Sequence, residues 1–237
     1  MPFSTAPVPL VWAMPAAPAR RTLSRPAIVA AAMEVADARG AAALTMAAVA
    51  DRLGDYSSMS LYRYVHSKDG LVDLMLDAAI GEVPLPDPAH GWRPALRRLA
   101  LDSWEMAHRH LWYAQLVHTR PPLGPNTMRR TEAVLRVLVD AGADVPRALS
   151  YLALLDRHVF AGAVVDAEER EMARAYGVEH ADDLMAAIRE IHRSVADPAA
   201  YPLLSGWMAA PSGPTTDDQV VQALDFLLDG IEKQLRG

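Results

Sequence analysis

The sequence predicts an all-α protein, with an N-terminal three-helix helix-turn-helix unit followed by a larger helical body. Three observations carry this. No stretch of β-branched residues alternates with polar ones, whereas apolar residues recur at three- and four-residue spacing along most of the 237 residues. Helix start and stop signals punctuate those runs. Finally, two short amphipathic segments are joined by a glycine-bearing turn.

The first nineteen residues, "MPFSTAPVPLVWAMPAAPA", are uncharged and hold five prolines. They lack the basic start of a signal peptide, and the prolines break any spanning helix, so residues 1–22 are expected to be a disordered leader on a cytoplasmic protein with no membrane partner. A first helix over 25–39 follows, with Ser24 as N-cap, Pro26 in the first turn and Gly40 as the stop. Thr45 caps a second helix, 46–53, which Gly54 ends. A third helix is expected over 58–66 with Leu61 and Val65 on its inner side, and Ser67 caps a fourth that carries Leu71, Leu74 and Met75. The Pro-rich run from Gly81 to Gly91 reads as a linker. Beyond it helices are expected near 92–110, 111–118, 125–141, 145–165, 180–195 and 217–235, with an irregular connection before the last. The corresponding domains are 23–68 for DNA binding, 69–90 for a connecting helix and linker, and 91–237 for ligand binding and dimerisation.

Composition removes several function classes. With no cysteine, disulfides, zinc fingers, iron–sulfur sites and thiol catalysis are excluded. No His-Glu-x-x-His metal site, phosphate-cradling glycine loop or nucleophile elbow occurs, so an enzyme is not expected, nor a cofactor. The net charge of −6 disfavours a polyanion partner only if it is evenly spread. From Arg20 to Lys68 seven basic residues face four acidic ones, so a small basic head precedes an acidic body.

The major groove admits one helix, and the side chains it presents must be short or polar. The third helix meets that demand with Ser57, Ser58, Ser60, Tyr62 and Tyr64 around its anchors, and Met59 suits a thymine methyl. Lys68, at the start of the next helix, is placed to meet a phosphate together with that helix's N-terminal amides. The bland alternative is that the serines are helix caps and the tyrosines half-buried rings.

The segments "AIVAAAMEVADARGAAALTMAAVADRLG" and "MSLYRYVHSKDGLVDLMLDA" closely resemble the N-terminal domain of the tetracycline-repressor (TetR) family of bacterial transcriptional regulators. The stretch "HTRPPLGPNTMRRTEAVLRVLVDAGADVPRAL" resembles the C-terminal domain of a subgroup common in actinobacteria. The resemblance implies a homodimeric repressor that holds a palindromic double-stranded DNA operator and leaves it when a small organic effector enters the body. It makes Thr45 the start of the turn motif's first helix, and Ser58, Met59 and Ser60 the leading face of the recognition helix. Tyr62, Tyr64 and Lys68 fall at DNA-backbone positions. Arg20, Arg21 and Arg25, just before or at the first helix, are further candidates for phosphate or the minor groove.

One departure stands out. Between "LG" and "MSLY" this chain has the four residues "DYSS", where members commonly have three. The extra residue has to be absorbed in the turn, with Asp55 or Tyr56 bulging outward, or else the recognition helix rotates by about 100° and Leu61 leaves the core. A rotated helix would favour the rival reading, a helical dimer that binds a small molecule without an operator.

In the body, two apolar stripes are candidates for a dimer interface: Leu149, Leu152, Leu155 and Val159, and Val220, Leu224, Leu227, Leu228 and Ile231. Trp104, His108 and Trp112 recur every four residues and would line one helical side with rings, provided the helix runs past His110. Met128, His158 and Met185 are further ligand candidates, as are Arg109 and Trp207.

Overall fold

The computed structural model describes residues 12, 23–54, 56–120, 123–175, 177, 181–195, 197–209 and 216–236. Among these there are eleven α-helices and no strand ladder. The head comprises α1 (Arg25–Arg39), α2 (Met46–Leu53), α3 (Ser58–Val65) and the start of α4 (Lys68–Ile80). Three of its caps, Ser24, Thr45 and Ser67, are those expected from the sequence, and Ser57 is a fourth. Ser24, Thr45, Ser57 and Ser67 each accept a backbone N–H from three residues on, which satisfies donors that a helix start otherwise leaves unpaired.

The inserted turn residue does not disturb the register. Leu61 and Val65 are fully buried, and each apolar side chain so placed contributes about 1.5–3 kcal/mol. The slack is taken up between Gly54 and Ser57. Gly54 adopts φ 91°, open to glycine at little cost, and its carbonyl accepts the Tyr56 N–H at 2.7 Å. Tyr56 packs against the core instead of bulging outward, and Asp55 lies outside the described residues. The exit of α3 is strained: His66 is the only non-glycine residue with positive φ, 64°, among the described residues.

The body is built from α5 (Trp92–Arg109), α6 (Leu111–Val117), α7 (Pro125–Asp140), α8 (Val145–Ala175), α9 (Ala181–Val195), α10 (Pro202–Ala209) and α11 (Thr216–Arg236). The central helix α8 packs on α5, α6, α7 and α11. Its Val145–Glu169 stretch is long and apolar enough to cross a membrane by composition, but Ala148, Leu152, Leu155, Val159, Phe160 and Ala163 are buried among those neighbours. Two boundaries differ from the sequence reading. α8 runs ten residues further than expected, because "DAEEREMARA" contains good helix formers and no breaker before Gly177. The connection after α9 contains α10, opened by Pro202 in the first turn, where proline is tolerated.

α4 joins the two halves and is tied to the body at two places. Asp77, buried, accepts the N–H groups of Asn126 and Thr127 and the Thr127 hydroxyl at 2.8–3.1 Å, capping α7 from outside. A Cβ at Gly124 would sit 2.0 Å from the Asp77 carboxylate, so only glycine permits this approach. One turn earlier, Asp73 holds Arg120 through both carboxylate oxygens.

Candidate DNA interface and ligand cleft

α3 carries two opposed stripes. Leu61, Tyr64 and Val65, at i, i+3 and i+4, face inward at 0, 5 and 0% exposure. Met59, Tyr62 and Arg63 follow the same spacing on the outer side and are exposed, Met59 at 75%. The outer stripe offers an apolar tip, a phenol and a guanidinium, a set suited to a thymine methyl, a phosphate and a guanine edge. Arg63 escaped the sequence reading, which entered it only in the charge count. Its signal was available, since it lies four residues from Met59 on the face away from Leu61.

Other expected DNA residues divide. Thr45 and Lys68 are exposed at helix starts. Ser58 is half-buried at the first position of α3. Ser57 is the N-cap, and Ser60 donates back to the Ser57 carbonyl at 2.6 Å, so both serve the helix as caps while staying at its outer end. Tyr64 is a correction: its ring belongs to the inner stripe, three residues from Leu61, and cannot lie along a DNA backbone. Arg25 is another. Its Nε donates to the Tyr64 carbonyl at 3.0 Å, turning the guanidinium inward, where Nη2 is buried without a partner. Arg20 and Arg21 lie outside the described residues.

Head and body meet at a polar junction. Trp112, 1% exposed, donates its indole N–H to Asp37 of α1 at 2.6 Å. His110 sits between the carboxylates of Asp37 at 2.8 Å and Glu82 at 3.2 Å, and Arg109 donates to Glu82 at 3.0 Å. Here the expected aromatic row fails. The chain leaves helical geometry at His110, with φ −123° and ψ 67°, so Trp112 belongs to α6 and not to the helix of Trp104 and His108.

A cleft of about 430 Å³ opens between α4, α6, α7 and α8. Its apolar wall includes Ile80, Val117, Leu152 and Phe160, and its polar groups include Tyr113, His118, Arg130, Asp156 and Arg157. This size and mixture suit a small organic molecule. Arg130 is buried and bidentate to Asp156 at 2.6 and 3.0 Å, with its Nε left without a partner. Burial alone would lower the Arg130 pKa, but Asp156 more than offsets this and leaves it raised. Burial pushes the Tyr113 hydroxyl well above the ordinary tyrosine range. At the mouth, Arg157 makes no ion pair among the described residues.

The ligand candidates from the sequence lie elsewhere. The Trp104 and His108 rings meet at a tilt of 54° with centroids 4.3 Å apart, and His108 is held between the Trp104 carbonyl and Asp166 at 2.9 and 2.7 Å. Met128 is exposed on α7, and His158 bonds the Val220 carbonyl at 2.9 Å. The Met185 side chain lies outside the described residues. Trp104, His108, Met128, His158 and Trp112 are not among the described residues that line the cleft. Two expected interface residues are: Leu149, 45% exposed, and Leu152, buried. Val159 is buried in the core, as are Val220, Leu224, Leu228 and Ile231, so these five stripe residues are covered by their own chain. Leu227 is half-buried against the same core. Among the apolar residues that α8 and α11 leave outward are Leu154, Ala161 and Val165, at 154, i+7 and i+11, and Phe226 at 74% exposure.

Residues 28–75 match the family described as bacterial regulatory proteins, tetR family, and residues 85–235 match the tetracyclin repressor-like C-terminal domain. The chain is similar to the HTH-type transcriptional repressor DrrR1 of Streptomyces coeruleorubidus, with 34% identity over 94% of this chain and 83% of the relative. The fold is similar to that of the TetR family protein ActR of Streptomyces coelicolor. In complex with actinorhodin ActR gives a TM-score of 0.74 at 25% identity, and in complex with (S)-DNPA 0.72 at 26%, each covering 90% of this chain and 98% of that one.

Proposed function

Because the chain belongs to the tetracycline-repressor family of bacterial transcriptional regulators, we propose that it grips a palindromic operator as a homodimer in the cytoplasm and releases it when an organic effector fills the cleft between α4, α6, α7 and α8. The observation that carries the DNA half is α3 itself, pinned by Leu61, Tyr64 and Val65 so that Met59, Tyr62 and Arg63 stand outward, with Lys68 beside them at the start of α4. One such head makes few contacts, and a two-fold pair doubles them and reads two half-sites. Leu154, Ala161, Val165 and Phe226 supply outward apolar side chains for that pairing.

The response follows from what α6 touches. Tyr113 and Val117 line the cleft, while Trp112, in the first turn of the same short helix, and His110, its N-cap, hold Asp37 of α1. α4 does likewise, with Ile80 in the cleft and Lys68 at the DNA end. An effector that fits better when these helices are displaced shifts the spacing of the two heads, and couplings of about 1–3 kcal/mol are usual for such linkage. Arg120 strengthens the route, since it lines the cleft and pairs with Asp69 and Asp73 of α4. By analogy with ActR, which is described with actinorhodin and (S)-DNPA bound, an aromatic metabolite is the effector class to screen first.

The rival reading, a ligand-binding dimer without an operator, drew on the lengthened turn, and the seated Leu61 and Val65 remove that motive. The test is fluorescence anisotropy with DNA flanking the chain's own gene. Specific binding that is lost in a Met59→Ala/Arg63→Ala variant of unchanged helicity supports the proposal. Binding that is indifferent to both changes overturns the assigned surface.

A further inference from the structure

Trp12 stands apart from the head it precedes. Its ring is half-buried against the body core, in a recess walled by Leu76 and Asp77 of α4, Tyr113 and Val117 of α6, Arg120, and Thr127 of α7. Only about 20 Å³ remains free beside it, room for about one water. Tyr113, Val117, Arg120 and Thr127 also wall the large cleft. The recess that holds the indole therefore adjoins the cleft through four shared wall residues.

The flanking sequence suits a reversible plug. "PLVWAMP" is a short apolar core between prolines, set in nineteen uncharged residues. Ten residues separate Trp12 from buried Leu23, a tether that keeps the plug at high effective concentration.

We propose that Trp12 is an intramolecular occupant of the inner end of the effector cleft, which an entering ligand displaces, so that the segment ahead of the head sets the effector threshold. The inference rests on the cleft being the ligand site. It also gives the effector a second route to the head, because the displaced segment leads directly into α1.

The probe is 1-anilinonaphthalene-8-sulfonate, an anionic aromatic dye suited to Arg157 and Phe160 of the cleft, titrated into the full-length protein. A plug seated about nine-tenths of the time weakens the dye's apparent affinity roughly tenfold, so Trp12→Ala should tighten binding by that factor. A peptide of residues 7–18 added to that variant should weaken binding again, and the same peptide carrying Trp12→Ala should not. Ala153→Trp, which fills the cleft, reports on the site itself. If it leaves dye binding intact, the cleft assignment fails and the plug with it. If it abolishes binding while Trp12→Ala leaves the affinity unchanged or weaker, the plug alone is overturned. A direct readout is the ¹⁹F signal of 5-fluorotryptophan that disappears in Trp12→Phe. It should be shifted from that of the free peptide and return toward it as dye is added, and a free-peptide shift from the outset refutes the docking.

Discussion

Replacing Lys68 by Gln isolates one proposed phosphate contact per protomer of the proposed dimer. The lysine is the first residue of α4, exposed, and beside the Ser67 cap whose hydroxyl accepts the Gly70 N–H at 2.8 Å. Its ammonium therefore shares a direction with the free amides of the helix start, the arrangement that favours an anion. Removing it touches no buried group, so stability should stay within about 0.5 kcal/mol. A two-fold dimer loses two phosphate contacts. Each neutralised phosphate adds about 0.9 to the slope of log K against log[salt], so the slope should fall by about 1.8, and at roughly 0.1 M salt the affinity by about 60-fold. The assay is anisotropy with operator DNA from 50 to 300 mM salt. Tyr62→Phe is the contrast, an uncharged contact whose loss lowers affinity without changing the slope. Parallel salt lines for Lys68→Gln and the parent protein would refute the reasoning, because a lysine that meets phosphate must release counterions when it binds.

Four further outcomes are expected. Asp156→Ala leaves the buried Arg130 charge uncompensated and should cost about 3 kcal/mol in urea unfolding, with much of it restored by Arg130→Met in the same chain. His66→Gly relieves a left-handed residue and removes a buried imidazole nitrogen that has no partner, so a gain of about 1 kcal/mol is expected by the same measurement. Tyr113, whose pKa is raised in the folded chain, keeps its proton when the unfolded chain loses it. Stability therefore falls as pH rises above about 10, by up to about 1.4 kcal/mol per pH unit, and Tyr113→Phe should remove that part of the alkaline slope. Phe226→Asp places a charge on the proposed dimer face and should yield monomers by light scattering, with operator affinity lost in proportion.

Most of the head was legible because its signals are local. Caps lie three residues from the N–H groups they serve, and glycine marks the stops, so Ser24, Thr45, Ser67, Gly40 and Gly54 placed the helix ends within a residue. Which face of α3 a tyrosine takes is also periodic, and Tyr64 could have been assigned inward from its distance to Leu61. The body was less legible because a periodic apolar stripe looks the same whether it meets its own chain or a second copy. Val220, Leu224, Leu228 and Ile231 bury against their own chain, and the outward residues of the same helices, Phe226 above all, are too sparse to form a stripe. The cleft was invisible for a different reason. Tyr113, Arg130, Arg157 and Thr127 come from three elements, and no spacing in the sequence joins them.

The break at His110 ties these failures to function. Had α5 continued through it, Trp104, His108 and Trp112 would share one face, and no short helix would lie between the cleft and the head. A histidine held by carboxylates from both sides, Asp37 of the head and Glu82 after α4, keeps the chain out of helical geometry there. The seven residues that follow become a separate lever, whose Trp112 end is fastened to α1 and whose Tyr113 and Val117 side faces the cleft. A rigid continuation of α5 would pass an effector's push into the whole body. A detached α6 would deliver it to Asp37, so in the proposed mechanism the residue that spoiled the sequence reading is the one that lets the cleft address the DNA-binding head.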